Sequence, residues 1–456
     1  MTGEKDSIFH GGHWAGPVFA AFLFVAQLPT GAFQFDRSLW LAAAEGLLLA
    51  LLLFSPRLRP AIGAMRGMLV PGVLLGAVLI CALAPLVVAP GSIDAETAVA
   101  HVVRLLALAG LFVAAAGMGE EVERNRILVR SLMFMGLAYA VLSLGIYLLA
   151  PGLSPTVEVF IQQRRLTATL YSPNTAAAFF GIIMVVALGS ITQRLKEAGS
   201  TGTAIDRLEG VLTHGPWELM TLILAGICLG FTGGRTTLAA TLIAVVVFLV
   251  WERLGTKKAE QSGVHPALPI VIVVAAVALG GGAAFARLGT ASHDFELRML
   301  AYRSHWPLIT NGGWMGHGLG GFNSANALAV TKANVIEIAP LKALLNVYLQ
   351  WLEQAGPLGA FCMFACIGWI LVQIVVGAYR RTRATTAMRM AGAVSLLLLV
   401  QGLTDVALET PSISALWAVI LGLGYGAASA PAGERRRRID TMSGDAIPHE
   451  ADRQGI

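Results

Sequence analysis

Arginines that neighbour glycine, amide or aromatic residues are the positions in this sequence best suited to bind an anion. Arg235 lies in the segment Phe231-Thr-Gly-Gly-Arg-Thr-Thr, between two apolar runs. A guanidinium group matches phosphate oxygens in a fixed fork, and the glycines leave backbone N–H groups open to the same anion. Arg164 and Arg165 precede Leu166-Thr-Ala-Thr-Leu-Tyr-Ser-Pro-Asn174. We predict phosphate binding by Arg235 and by at least one of this pair. The alternatives are a plain surface position for Arg235 and contact with lipid head groups for the pair.

A second group of such residues begins at Arg298. The segment Arg298-Met-Leu-Ala-Tyr-Arg303-Ser-His-Trp306 leads into Gly312-Gly-Trp-Met-Gly-His317-Gly-Leu-Gly-Gly-Phe322. On a helix Arg303 and Trp306 share a face, whereas Arg298 lies at a different angle. Guanidinium groups bind phosphate and aromatic rings stack on sugars, so this surface suits a sugar on a lipid pyrophosphate. The signal from His317 is weaker, because a loop histidine is more often structural or solvated.

The composition places this chemistry in a membrane. Of 456 residues, 56% are hydrophobic and 13% are charged, and the mean hydropathy is +0.71. A soluble domain carries roughly 25% charged residues. The net charge of +5 does not indicate nucleic-acid binding, because the charges lie in short loops between apolar runs. We therefore predict an all-α polytopic membrane protein.

Apolar runs long enough to cross a bilayer recur along most of the chain. A spanning helix needs about 20 mostly apolar residues. Runs of roughly this length predict about twelve transmembrane helices, near 14–34, 38–54, 68–89, 98–118, 127–150, 174–192, 217–232, 236–251, 268–287, 357–378, 388–408 and 410–428.

Basic residues accumulate in alternate loops and predict the orientation, because loops rich in Lys and Arg face the cytoplasm. The even-numbered loops and the tail carry most of them, at Arg57, Arg59, Arg66, Arg124, Arg126, Arg130, Arg194, Lys196, Arg207, Arg253, Lys257, Lys258, Arg380, Arg381, Arg383, Arg389 and Arg435 to Arg438. The intervening short loops carry only Arg37, Arg164, Arg165 and Arg235. Both termini are therefore expected in the cytoplasm of a bacterium, with the chain in its inner membrane.

This orientation divides the chain into a cytoplasmic segment at 1–13, a transmembrane domain at 14–430 and a disordered cytoplasmic tail at 431–456. A large loop at about 288–350 falls on the periplasmic side. Its scattered aromatic residues argue against disorder, and the apolar stripe over 341–354 predicts an interfacial or re-entrant helix.

Carboxyl groups near the predicted outer face are candidates for a general base. Glu353 is the first choice, although a surface position on a helix is its alternative reading, and Asp405 and Glu409 are the other candidates. The outer loops contain no Asp/His cluster with metal-ligand spacing, so we expect no metal and no other cofactor.

Four segments of the chain resemble the O-antigen ligase and Wzy-type polysaccharide polymerase superfamily. They are Thr169-Leu-Tyr-Ser-Pro-Asn174, then Gly234-Arg235, then Arg303-x-x-Trp306 with Gly316-x-Gly318 and Phe322, and finally Leu345-Asn346 followed after nine residues by Gly356-x-x-Gly359. The resemblance covers roughly residues 160–425, in the order and on the membrane side that the family has.

The resemblance implies a metal-independent glycosyltransferase of the membrane C-type class. Its substrates would be glycans on undecaprenyl pyrophosphate, and its partners would be membrane lipids and a chain-length regulator. From the residues and the resemblance together, we expect catalytic roles for Arg235, Arg303 and Glu353. Substrate binding is expected at Arg164, Arg165, Asn174, Arg298, Trp306, His317 and Asn346. Ligases have His where this chain has Leu345, so a polymerase of exopolysaccharide or O-antigen repeat units is expected before a ligase that transfers glycan to lipid A core. A transporter or glycan flippase is the alternative of another class.

Overall fold

The computed structural model describes residues 14–28, 31, 35–53, 67–88, 94–153, 165–197, 213, 215–255, 274, 278 and 291–430. Within these ranges every regular element is a helix, as the sequence predicts. Four predicted features lie outside the described residues: the segment 1–13, the tail 431–456, most of the span at 268–287 and Arg164.

The helices of the first half follow the apolar runs closely. They are α1 (Ala15–Gln27), α2 (Phe35–Leu53), α3 (Leu69–Val88), α4 (Ala95–Gly119), α5 (Val122–Leu149), α6 (Pro173–Glu197), α7 (Pro216–Thr232) and α8 (Arg235–Leu254). The later helices are α9 (Ala291–Asn311), α10 (Phe322–Ala329), α11 (Val335–Ile338), α12 (Val347–Arg380), α13 (Thr385–Gly402) and α14 (Pro411–Ser429). A helix thus occupies each predicted span except the undescribed one at 268–287.

Eight of the described helices are long and apolar enough to cross a membrane: α3, α4, α5, α6, α8, α12, α13 and α14. Two more apolar helices, α1 and α7, have fewer than 18 residues and are shorter than these eight. The chain is therefore a membrane protein by the length and composition of its helices, and the full count of twelve spans stays a prediction.

Small residues allow α4 and α14 to pack closely. Gly422 and Gly426 stand one turn apart on α14, and a Cβ atom at Gly426 would overlap the carbonyl oxygen of Ala116 on α4. Gly119 on α4 in turn lies against the carbonyl oxygen of Leu423. Such contacts let backbones approach where the hydrophobic effect does not drive association. They fix α14 in the interior, where most of its side chains are buried.

The two ends of the helical bundle are distinguished by the residues that meet there. At the first end, Asn174 at the start of α6 donates a hydrogen bond of 2.5 Å to Asp405, just beyond α13. At the other end, Lys196 near the end of α6 donates to Thr386 at the start of α13, over 3.0 Å. At 1.5 Å per residue these two positions on α6 are about 33 Å apart. We call them the Asn174 end and the Lys196 end.

Residues 291–346 form an ordered helical segment at the predicted large loop. Buried side chains of Ala301, Phe322, Ile338 and Leu344 form a small core of their own between α9, α10 and α11. This agrees with the expectation that the aromatic content of the loop opposes disorder. Its periplasmic location stays a prediction.

A break at Gly356 divides α12 into two halves, which we call outer and inner after the predicted orientation. Gly356 has φ +65° and ψ 175°, and Pro357 follows it. The outer half begins at Val347, inside the stretch predicted as an interfacial or re-entrant helix, and the inner half coincides with the predicted span from 357. The run predicted at 388–408 ends six residues early, at Gly402. Residues 403–410 form a connector to α14.

Candidate functional site

Arg165 is anchored by two neighbouring segments at the Asn174 end of the bundle. It is 8% exposed, and its Nε donates to the carbonyl oxygen of Thr232 over 2.8 Å. Its Nη2 donates to Oδ1 of Asn174 over 3.2 Å. The backbone N–H of Leu166 also donates to the carbonyl of Phe231. The structure therefore brings together two predicted binding residues, Arg165 and Asn174, and joins them to the turn before α8.

Asp405 extends this chain of contacts from the connector after α13. Its side chain is 4% exposed and accepts the 2.5 Å hydrogen bond from Asn174. Burial raises the pKa of Asp405, while the hydrogen bonds from Asn174 and from the Val406 backbone and the charges of Arg298 and Arg165 oppose that rise. Asp405 is thus a carboxyl group between two guanidinium groups.

Arg298 approaches Asp405 from α9, an element far away in sequence. The two interact electrostatically. The Nε of Arg298 is buried and makes no hydrogen bond within the described part of the chain. One turn later on α9, the hydroxyl of Tyr302 donates to the carbonyl of Leu345 over 3.3 Å. Leu345 has φ +59°, a left-handed conformation that is rare for a bulky residue and concentrates at functional sites.

Arg235 reaches the same region because of the two glycines before it. Gly233 has φ +65° and ends α7, and Gly234 packs tightly on α6, because a Cβ atom there would lie 3.1 Å from the Cβ atom of Ala177. Arg235 is the first residue of α8, and its Nη2 donates to Asp294 over 2.8 Å. Its side chain remains 24% exposed. We name Arg165, Asn174, Arg235, Arg298 and Asp405 the arginine cluster.

Arg303 and Trp306 lie on a different face of α9. At 100° per residue, Arg303 points about 140° away from Arg298. Arg303 is exposed, and Trp306 is 54% exposed. The two therefore share a surface, as their spacing predicts, but the structure does not bring them to Asp405. A catalytic role for Arg303 and substrate binding by Trp306 stay predictions.

Glu353 is held in a fully buried network with a histidine. Its Oε1 lies 2.7 Å from Nδ1 of His305, whose Nε2 lies 3.1 Å from Oδ1 of Asn326. Phe322 stacks on the His305 ring at 5.4 Å and 4°. Neither Glu353 nor His305 has exposed surface, so no acceptor hydroxyl reaches the carboxylate in this arrangement.

His317 and Asn346 make local structural contacts. Nε2 of His317 lies 3.1 Å from the carbonyl of Leu308, and its backbone N–H donates to the carbonyl of Glu353. The side chain of Asn346 caps the start of α12 by accepting from the N–H groups of Tyr348 and Leu349. Substrate binding by His317 and Asn346 stays a prediction.

An apolar cavity of about 490 Å³ lies on the other side of the 403–410 connector. Its walls come mainly from α3, α4, α12 and α14, and its polar residues include Arg104, Gln354 and Glu409. Arg104 donates to the carbonyl of Glu409 over 3.2 Å. The connector thus presents Asp405 to the arginine cluster and Glu409 to this cavity.

Sequence reasoning identified four of the five cluster residues as binding or catalytic, and it named Asp405 only as an alternative base. It missed Asp294, the partner of Arg235, because nothing in the sequence near Asp294 indicates that contact. Among the described residues, no group of three His, Cys, Asp or Glu side chains could hold a metal ion.

Comparison with protein-family models and with curated proteins finds no match to this chain.

Proposed function

We propose that this chain is a membrane glycosyltransferase that polymerises oligosaccharide repeat units carried on undecaprenyl pyrophosphate, at the periplasmic face of a bacterial inner membrane. The arginine cluster is the observation that supports the proposal. It joins residues that are scattered from 165 to 405 in sequence at one end of a bundle of membrane-length helices.

The charge of the cluster suits a pyrophosphate group. Its three arginines face two aspartates, Asp405 and Asp294, and so leave one excess positive charge. The Nε of Arg298 is a buried donor that makes no hydrogen bond within the described residues, and Arg235 remains partly exposed. A phosphate oxygen would satisfy such donors with charge-assisted hydrogen bonds.

In the proposed reaction, a hydroxyl of the acceptor glycan attacks the anomeric carbon of the donor sugar. The new glycosidic C–O bond forms, the bond to the pyrophosphate oxygen breaks, and the hydroxyl proton passes to a base. Pyrophosphate is a competent leaving group, so the main catalytic requirement is to stabilise its growing negative charge. Arginines that are already oriented in a partly dry site supply this stabilisation.

Asp405 and Glu353 are the two candidates for the general base that accepts the hydroxyl proton. Asp405 belongs to the arginine cluster, whereas Glu353 is enclosed with His305. We therefore favour Asp405 for the proton and keep Glu353 as the alternative.

The decisive experiment measures glycan length on gels after purified full-length protein acts on lipid-linked repeat units. Wild type should form a ladder. Arg235→Ala and Arg298→Ala should each lower the rate by about a hundredfold, because one charge-assisted contact at the transition state contributes about 3 kcal/mol. Arg235→Lys should recover little, since an ammonium group lacks the bidentate fork.

Arg303→Ala is the matched control on the other face of α9. Because Arg303 lies away from Asp405, we expect a smaller loss than for Arg298→Ala. Undiminished ladders from both Arg235→Ala and Arg298→Ala, with the fold intact, would remove the cluster from catalysis. No ladder from wild type, with translocation of single lipid-linked units instead, would favour a flippase. Transfer to lipid A core without a ladder would favour a ligase.

A further inference from the structure

The apolar cavity beside the 403–410 connector has a polar end and an apolar end. Its polar lining residues next to the connector include His101, Arg104, Gln354 and Glu409. Further along α4 its lining is apolar as far as Val113. At 1.5 Å per residue, the cavity follows α4 from His101 to Val113 for about 18 Å. This length is slightly more than one leaflet of a hydrocarbon core about 30 Å thick.

The long apolar part of the cavity suits a hydrocarbon chain better than water. Apolar cavities stay dry, and an empty cavity destabilises a fold in proportion to its volume, which is about 490 Å³ here. Helix α3 packs mainly against α12, so the seam between α3 and α4 is the least tightly packed wall of the cavity. A lipid chain can therefore enter from the bilayer through this seam.

Arg104 supplies hydrogen-bond donors at the polar end. It is half-buried, and its Nη2 donates to the carbonyl oxygen of Glu409 over 3.2 Å. Its Nη1 lies 3.5 Å from Nε2 of His101. These contacts with the described residues occupy two of the five N–H donors that a guanidinium group has. The other donors can bind a phosphate oxygen through charge-assisted hydrogen bonds.

The charges around Arg104 favour a head group that carries both signs. The carboxyl groups of Glu409 and Glu45 interact with Arg104, and Glu409 itself lines the cavity. One guanidinium group therefore faces two carboxyl groups, so this group of three has no excess positive charge, unlike the arginine cluster. A purely anionic head group, such as the pyrophosphate of a lipid-linked glycan, would be repelled by Glu409. A head group with a phosphate and an ammonium group would complement both Arg104 and Glu409.

We propose that this cavity holds a chain of a zwitterionic membrane phospholipid of the phosphatidylethanolamine type. The phosphate of the lipid binds Arg104, its ammonium group binds Glu409, and its hydrocarbon chain lies along α4. The proposal does not depend on the glycosyltransferase function, because it concerns the cavity on the other side of the connector from the arginine cluster.

The test uses purified full-length protein in dodecyl maltoside micelles that contain increasing fractions of one phospholipid. Dioleoyl phosphatidylethanolamine should raise the thermal unfolding midpoint in a saturable way, and more than dioleoyl phosphatidylglycerol does at the same fraction. The two lipids have the same chains, so the difference reports the head group. Glu409→Gln should remove this preference, because a neutral amide no longer attracts the ammonium group. Arg104→Gln should weaken the apparent affinity about tenfold through loss of the charge-assisted contact.

A matched pair of variants on α4 tests the cavity itself. Leu108 lines the cavity, whereas Leu106 does not line it and is 51% exposed on the same helix. Leu108→Trp should reduce the response to phosphatidylethanolamine because the larger side chain occupies the space of the lipid chain. Leu106→Trp should keep the full response. Both variants retain Arg104 and Glu409, so this pair tests the proposal even where Arg104→Gln does not fold.

Three results would overturn the proposal. The first is that phosphatidylglycerol or undecaprenyl phosphate stabilises wild type as much as phosphatidylethanolamine does. The second is that Leu108→Trp keeps the full wild-type response, which would place the lipid outside the cavity. The third is that Leu106→Trp weakens the response as much as Leu108→Trp does.

Discussion

Asp405 occupies a position where two opposing effects act on one carboxyl group. Removal from water favours its neutral form, whereas Asn174 and the guanidinium groups of Arg298 and Arg165 favour its charged form. The net result is a raised pKa. A carboxyl group with a raised pKa can accept and release a proton during a reaction more readily than a freely solvated aspartate, whose pKa is about 3.9.

The raised pKa of Asp405 predicts how stability depends on pH. Because the folded state binds this proton more tightly than the unfolded state, the contribution is fully present below about pH 4 and is lost as pH rises through the folded pKa. Asp405→Asn should therefore flatten the fall in the thermal midpoint of the purified protein as pH rises from about 4 to 8.

Glu409 serves as the control for this measurement. Burial raises its pKa too, so it contributes a decline of the same sign, and Asp405→Asn with Glu409→Gln should flatten the profile further than either change alone. A profile for Asp405→Asn that is parallel to that of wild type would show that Asp405 does not titrate with a raised pKa.

The residues of the arginine cluster could be named from sequence one by one, but not as a group. Arg235 and Arg165 were identified from neighbouring glycines and a proline-asparagine helix start, which are local signals. The hydrogen bond between Asn174 and Asp405 joins residues 231 positions apart, and no local pattern encodes it. The spacing of Arg298 and Arg303 did predict that the two point in different directions.

At the scale of elements, Gly316 and Gly356 allow the backbone of the 312–321 segment to pack directly against α12. A Cβ atom at Gly316 would overlap the backbone nitrogen of Gly356, and one at Gly356 would overlap the carbonyl oxygen of Trp314. Both glycines have positive φ. The sequence marked these positions as motif residues, and the structure gives the physical reason: two backbones meet at the break of α12.

Glu353 and His305 connect α9 to the outer half of α12, and this connection can be tested apart from catalysis. Glu353→Leu should lower the free energy of unfolding by about 1–3 kcal/mol, because it leaves His305 buried without its partner. Glu353→Gln should cost less, since the amide oxygen can still accept from His305. Denaturant or thermal unfolding of the purified protein measures both effects.

Ladder formation by the Glu353→Gln variant then shows whether Glu353 positions other residues or acts as the general base. Retained ladders with a near-normal fold would assign Glu353 to positioning, whereas an inactive but folded variant would assign it the proton transfer. Glu337→Gln is the control, because Glu337 is exposed on α11 and should change neither stability nor activity.

Helix positions were the part of the fold best predicted from sequence, because lipid requires long apolar runs. Two ends were predicted too late: α1 ends at Gln27 instead of residue 34, and α13 ends at Gly402 instead of residue 408. Hydropathy measures only how apolar a segment is, so it does not show where an apolar segment stops being helical. Beyond the end of α13, Asp405 contacts Asn174 and Glu409 interacts with Arg104.

For the whole molecule, the orientation in the membrane that the charge alternation indicates stays a prediction. Reporter fusions after residues 60 and 440 should read cytoplasmic, and a fusion near residue 325 should read periplasmic, because loops rich in Lys and Arg stay inside. A cytoplasmic signal at 325 would place the arginine cluster on the wrong side for the proposed substrate.

Metal independence is the second prediction for the intact protein. We expect ladder formation by purified protein to survive EDTA, since the proposed cluster uses arginines for the charge of the leaving group. Activity that EDTA abolishes and that Mg²⁺ or Mn²⁺ restores would contradict this mechanism.

The burial of α6 has a consequence for how the protein is made. In its most apolar window, 94% of α6 is buried, against 28% for α3, yet the two have similarly high hydropathies of 2.1 and 2.5. Helix α6 packs mainly against α7, α8 and α13, which are translated after it, and against α5, which is translated before it. Until α7, α8 and α13 are made, the surfaces of α6 that they cover in the finished protein have no protein partner. The alanines, isoleucines and phenylalanines of α6 make it as apolar as a helix that faces lipid. The hydropathy of this interior helix therefore suits insertion into a bilayer and does not reveal that the finished fold buries it.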